Sequence, residues 1–305
     1  MKTIKAYGID YKLPQVYLLD YTNLFVSEFN ARTCYNSFKK SEHKEIQELI
    51  DNIQNGKNQI LPHNIEAIND RGSELLYQLS HVYFHESTLE HVTLNFWIKD
   101  FSRGVLQELS RHRIASPSVQ STRYTLNDIL NYFNIAVKFN SKKYFENKML
   151  KINPFIFADE EFIKLESNQI FEKLETQMKR IGKENFIKLS VPKSNIENFL
   201  TETNIENAEK LLFSKNKRNV GDPFKFIITD NFSVMEGFSI NLRSLKNLLN
   251  LRLSDSAYWQ FELLAYQIYD LLSNSLPKYL ELIENKNHKN IYRRIKDKIE
   301  KGVWE

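Results

Sequence analysis

The eight glycines of this 305-residue chain stand far apart, at positions 8, 56, 72, 104, 182, 221, 237 and 302. No GxGxxG and no GxxxxGK(S/T) can be written from them, which excludes the usual dinucleotide-binding fingerprint and the P-loop. A phosphate held by such a chain is held mainly by Arg, Lys, hydroxyls and helix ends. Hydrophobic residues at 42% and charged residues at 26% fit a globular protein, and 21 Phe with 15 Tyr supply a core. Lys and Arg number 42 against 38 Asp and Glu, a net +4, so total charge argues for neither a nucleic-acid nor a membrane partner. One cysteine, Cys34, forms no internal disulfide. The opening MKTIKAYGIDYKLPQV has no apolar h-region, and no run approaches the roughly 18 apolar residues of a membrane span. A cytoplasmic protein is expected.

Periodicity orders the rest. Val16–Tyr21 reads as a strand, and Thr22, a capping residue type, opens a helix toward Asn30. Glu42–Ile53 and Glu74–Tyr83 read as helices. Val92, Leu94, Phe96 and Ile98 alternate with Thr93, Asn95, Trp97 and Lys99, the period of a strand with two unlike faces. Asp100 or Ser102 caps the helix that follows. That helix ends near Arg111–Arg113, and Pro117 blocks its continuation into what reads as a loop. Residues 140–218 are rich in Lys, Glu and Asn and carry amphipathic helices, at Ile170–Ile181 and Ile196–Leu200. They read as a helical insertion in a single domain spanning 1–305. Near the end, Leu242, Leu245 and Leu249 make an apolar stripe while Arg243, Asn247 and Asn250 make a polar one; Ala257–Leu271 is a second packed helix. The expected fold is α+β, a central mixed or antiparallel sheet flanked by helices.

The densest polar stretch is RHRIASPSVQSTRY, residues 111–124. Three guanidinium forks and four Ser/Thr hydroxyls suit a phosphorylated ligand. Downstream, Asn241, Arg243, Asn247 and Arg252 stand beside leucines, and such groups need partners if buried. His85 and His91 lie six apart and the string is not HExxH, so no metal site is expected.

The first string resembles the signature of flavin-dependent thymidylate synthases: RHR, seven residues, Ser, then x-R-Y, with every fixed position filled. ARTCYNS at 31–37, HESTLEH at 85–91, FSRGVLQELSRHR at 101–113 and NLRSLKNLLNLRLSDSAYWQFE at 241–262 are similar to further blocks of that family, in its order. The resemblance implies methylation of dUMP to dTMP, with 5,10-methylenetetrahydrofolate as methylene donor and an FAD reduced by NADPH as hydride donor, in a homotetramer whose sites are shared between subunits. It implies Arg252 as the catalytic residue. It puts dUMP on Glu108, Leu109, Ser110, Arg111, Val119, Gln120, Ser121, Thr122, Arg123, Lys225 and Arg252. It puts FAD on His85, Ser87, Glu90, Arg111, His112, Arg113, Ile114, Asn241, Arg243, Asn247 and Leu251. Cys34 lacks the Pro-Cys-Gln context of the unrelated thiol-dependent synthases, and packing or a backbone contact near the flavin is its expected role. Three positions depart from the family pattern: Val119 replaces a Glu or Gln, Lys225 an Arg, and Ser256 a His. Two other readings stand beside this one. A flavin-dependent nucleotide oxidoreductase of the same fold would oxidise NADPH without forming dTMP. A nucleic-acid-binding module would use the RHR…RY patch with aromatics for stacking, but leaves Asn241–Arg252 without a purpose.

Overall fold

The computed structural model describes residues 2–42, 44–56, 70–112, 114–214 and 222–304. Strands β1 (Thr3–Ala6) and β2 (Ile9–Lys12) form a hairpin, turned by Tyr7 and Gly8 at φ 51° and 82°, the left-handed pair a two-residue turn requires. After β3 (Gln15–Tyr21) come α1 (Leu24–Cys34), α2 (Lys44–Gln54) and α3 (Asp70–His81), then β4 (Thr93–Ser102), α4 (Arg103–Leu109) and β5 (Ala115–Val119). Helices α5 (Thr122–Lys138), α6 (Lys142–Ile152), α7 (Glu160–Ile181), α8 (Lys183–Ser190), α9 (Ile196–Thr201) and α10 (Ile205–Leu212) follow in a row. The chain closes with β6 (Ser233–Asn241), α11 (Leu242–Arg252), α12 (Trp259–Ser275), α13 (Pro277–Glu281) and α14 (Lys286–Lys301).

The central sheet has the order β3–β4–β6–β5 and is antiparallel throughout, which narrows the expected mixed or antiparallel sheet. The alternation read in β4 puts Leu94, Phe96 and Ile98 in the core, opposite Ile240, Phe238 and Glu236 of β6. Each large apolar side chain buried there contributes about 2 kcal/mol. Helices α11 and α12 pack together beneath, and α12 also meets β3 and β4. Ser102, not Asp100, caps α4, its Oγ accepting from the Val105 N–H at 3.2 Å. Asp100 instead sits at a bulge with φ 61°. Asn23 rather than Thr22 caps α1, accepting from the Phe25 N–H at 2.9 Å. Cys34 is exposed, which removes the packing role expected for it.

Residues 115–119 were expected as loop and form an edge strand. Pro117 pairs with Phe238 of β6, and an edge is where a residue lacking an N–H is tolerated. A second core gathers the helices that follow β5. Leu126, Ile129 and Phe133 of α5 meet Phe145 of α6, Phe171 of α7 and Phe186 of α8. The far end of α5 enters a third, where Ile135 joins Ile187, Phe199 and Leu212. The two chain ends are tied together: the Trp304 N–H donates to the Lys5 carbonyl at 2.8 Å, and Trp304 packs on Trp259.

Candidate active site

Helix α11 carries the greater part of the site. Asn241 sets its start, Oδ1 accepting from the Ser244 N–H at 2.8 Å. From that start Leu242, Leu245, Leu248 and Leu249 turn into the core, while Arg243, Lys246, Asn247, Asn250 and Leu251 line a cleft of about 630 Å³. Its other walls are Glu86 and Glu90, from the tight turn Glu86–His91, and Arg111, His112 and Ile114, from the segment after α4. The volume is in the range of small-molecule sites.

The cleft is charged and mostly paired. Arg243 donates to Glu90, and Lys246 donates to Glu86 at 2.6 Å and to the Ser80 carbonyl at 3.2 Å. Arg252, at the C-terminal end of α11, donates from Nη1 to Glu108 at 2.6 Å. Its guanidinium carbon lies 4.5 Å from the Phe261 ring centroid, a cation–π contact. Its Nε reaches His112 Nε2 at 3.5 Å. Burial, and then the charge of Arg252, push the His112 pKa down, so the imidazole is neutral at pH 7 and can accept. Arg111 is exposed on the rim, and among the described residues its guanidinium has no ion-pair partner. Four cations, Arg111, Arg243, Lys246 and Arg252, thus face two lining carboxylates.

Of the expected flavin residues, Glu90, Arg111, His112, Ile114, Arg243, Asn247 and Leu251 line this one cleft. His85 and Ser87 are exposed on or beside the same turn but outside the wall, with His85 Nδ1 2.5 Å from the Tyr35 hydroxyl. Arg113 lies outside the described residues. The expected dUMP residues divide. Arg111, Arg252 and Glu108 belong to the cleft or its edge, Leu109 is buried, and Ser110 donates to the Gln107 carbonyl at 2.8 Å. Val119, Gln120 and Thr122 flank Ser121, which caps α5. Arg123 and Lys225 form a separate cluster on Asp222, at 2.8 Å and 2.9 Å. Those contacts, the Lys225 hydrogen bond foremost, hold the Asp222 carboxyl below its ordinary range. Glu86 and Lys246 were not anticipated. Lys246 had a signal, standing three residues after Arg243 on the same polar stripe.

Residues 17–278 match the family model described as thymidylate synthase complementing protein. A flavin-dependent thymidylate synthase of Helicobacter pylori is 31% identical over 252 residues, covering 83% of this chain and 90% of its own. One from Campylobacter jejuni is 27% identical over 281 residues, covering 91% and 99%. Among solved structures, thymidylate synthase X of Helicobacter pylori, crystallised with FAD and dUMP, aligns with a TM-score of 0.54 at 25% identity, over 92% of this chain and 99% of that one.

Proposed function

Since the chain belongs to the thymidylate synthase complementing protein family, the flavin-dependent thymidylate synthases, we propose that it methylates dUMP to dTMP with 5,10-methylenetetrahydrofolate and NADPH as co-substrates. The donor set of the cleft fits an FAD. Its excess of cations suits a diphosphate, and the Asn247 and Asn250 amides suit the polar edge of a flavin ring. Arg111, Arg243 and Asn247 would hold it, with His112 and Ile114 alongside. When bound, the flavin supplies a hydride that a nicotinamide cofactor replenishes.

The observation that carries the reading is the setting of Arg252. Glu108, His112 and Phe261 fix its guanidinium at the cleft edge and leave donors free. Uracil becomes nucleophilic at C5 as negative charge develops on its ring. A pre-oriented guanidinium stabilises that charge without reorganising. No thiolate is needed, consistent with Cys34 standing outside the cleft. Ser121, Arg123 and Lys225 are assigned to the dUMP phosphate, brought to the cleft of a second copy in a cytoplasmic homotetramer. The whole chain acts as one catalytic domain, with 140–218 inserted in it.

Protein loaded with FAD should be yellow and form dTMP from dUMP, methylenetetrahydrofolate and NADPH. Arg252→Ala should keep the flavin spectrum and lose dTMP formation by about 10² to 10³. A wild-type protein that takes up no flavin, or an Arg252→Ala variant of full activity, overturns the assignment.

A further inference from the structure

Helix α14 holds seven Lys and Arg against two Asp and Glu, a net +5, while the whole chain carries only +4. The rest of the protein is therefore slightly acidic. The helix lies outside the matched residues 17–278. Its inner face is apolar and used, with Ile291 and Ile295 buried in the main core. Lys286, Lys289, Arg293 and Lys296 are all exposed and follow one another at 3-4-3 spacing, a single line on the outer face about 15 Å long. Lys289 pairs with Glu284 at 2.7 Å. Among the described residues Lys286, Arg293 and Lys296 have no ion-pair partner. The line begins beside the active-site cleft, because Asn285, which caps α14, donates to Asn250 of the cleft wall at 3.0 Å.

Resting on the functional reading above, we propose that this line is a rail for a polyanionic tail on the folate co-substrate, a chain of γ-linked glutamyl carboxylates leaving the cleft across α14. The stripe is one line wide and the rest of the chain is net acidic, unlike the broad basic footprint of a nucleic-acid binder. Its apolar face is spent in the core, so no side remains to enter a lipid surface. A row of exposed cations matched to a row of carboxylates gains a little per pair, and the gains accumulate.

The test compares monoglutamyl and pentaglutamyl methylenetetrahydrofolate on FAD-loaded protein with dUMP. The pentaglutamyl form should have a KM about tenfold lower, a gap that closes as salt rises to 0.5 M. Lys286→Glu/Arg293→Glu/Lys296→Glu should equalise the two KM values and leave kcat and the monoglutamyl KM unchanged. The corresponding Gln triple variant should narrow the gap, and guards against misfolding of the first. Calorimetric binding of the two forms reads the same difference without turnover. Loss of dTMP formation with that affinity difference intact would fault the functional reading alone. Equal affinities in the wild type, or a gap that survives in both triple variants, overturns the rail. So does tighter binding of a short DNA single strand on the same three cations, which would reassign the stripe to nucleic acid.

Discussion

A guanidinium at a cleft edge must be held in place yet keep its charge available. Arg252 meets both needs, with one fork nitrogen on Glu108, a ring beneath it and a neutral imidazole at its Nε. Lysine keeps the charge and loses the fork, so Arg252→Lys should lose dTMP formation nearly as far as Arg252→Ala, at unchanged flavin absorbance. Glu108→Gln should cost about tenfold in kcat by loosening the guanidinium. Arg252 and Glu108 were legible as motif residues. Phe261 under Arg252 was not, because only the turn after α11 brings α12 back against it. Glu236 is a second residue-scale case: 1% exposed, with neither carboxylate oxygen hydrogen-bonded among the described residues. Burial raises its pKa to about 7. In the fold it keeps its proton to a higher pH than in the unfolded chain, so its contribution to stability is complete below about pH 4.5 and is lost as pH rises through 7. The loss is on the order of 3 kcal/mol. A melting temperature that falls from pH 5 to pH 8 in wild type and stays flatter in Glu236→Gln would show it.

At the scale of elements, β4 and α11 were readable because their periods are clean, whereas β6, whose burial alternates as regularly, was not anticipated as a strand. The stretch 115–119 was not. Serines and a proline argue against a strand, and only pairing with β6 makes one. The helices within 140–218 were legible in part, by their apolar spacing, though what they pack on was not. Capping is where an element and the site meet. Asn241 is spent on the first turn of α11, and that turn sets the angle at which Arg243, Asn247 and Asn250 reach the cleft. Asn241→Ala should cost about 1 kcal/mol, while Asn241→Ser, which keeps an acceptor, should recover the melting temperature. Failure of serine to recover it would mean that the amide matters for more than the cap.

Across the whole molecule, buried side chains of the described residues gather into three cores, and two of the connections that hold them can be tested. The clasp of the chain ends secures the first, where Trp304 is 5% exposed against Trp259. Trp304→Ala should destabilise by about 3 kcal/mol, seen in a denaturant midpoint, without altering flavin binding. The second connection is α5. One end of this 17-residue helix holds Ser121 and Arg123, next to the edge strand, and the other is embedded among Ile187, Phe199 and Leu212. It is a stiff beam about 25 Å long, packed on the second core along Leu126, Ile129 and Phe133 and tied at its polar tip by the Arg123–Asp222 pair. Packing at its far end should be felt at that tip: Phe199→Ala should weaken nucleotide affinity and leave the flavin absorbance unchanged, as a binding titration would show. Helices α8, α9 and α10 thus act through a long lever arm, their grip on one end of α5 bearing on the side chains at the other.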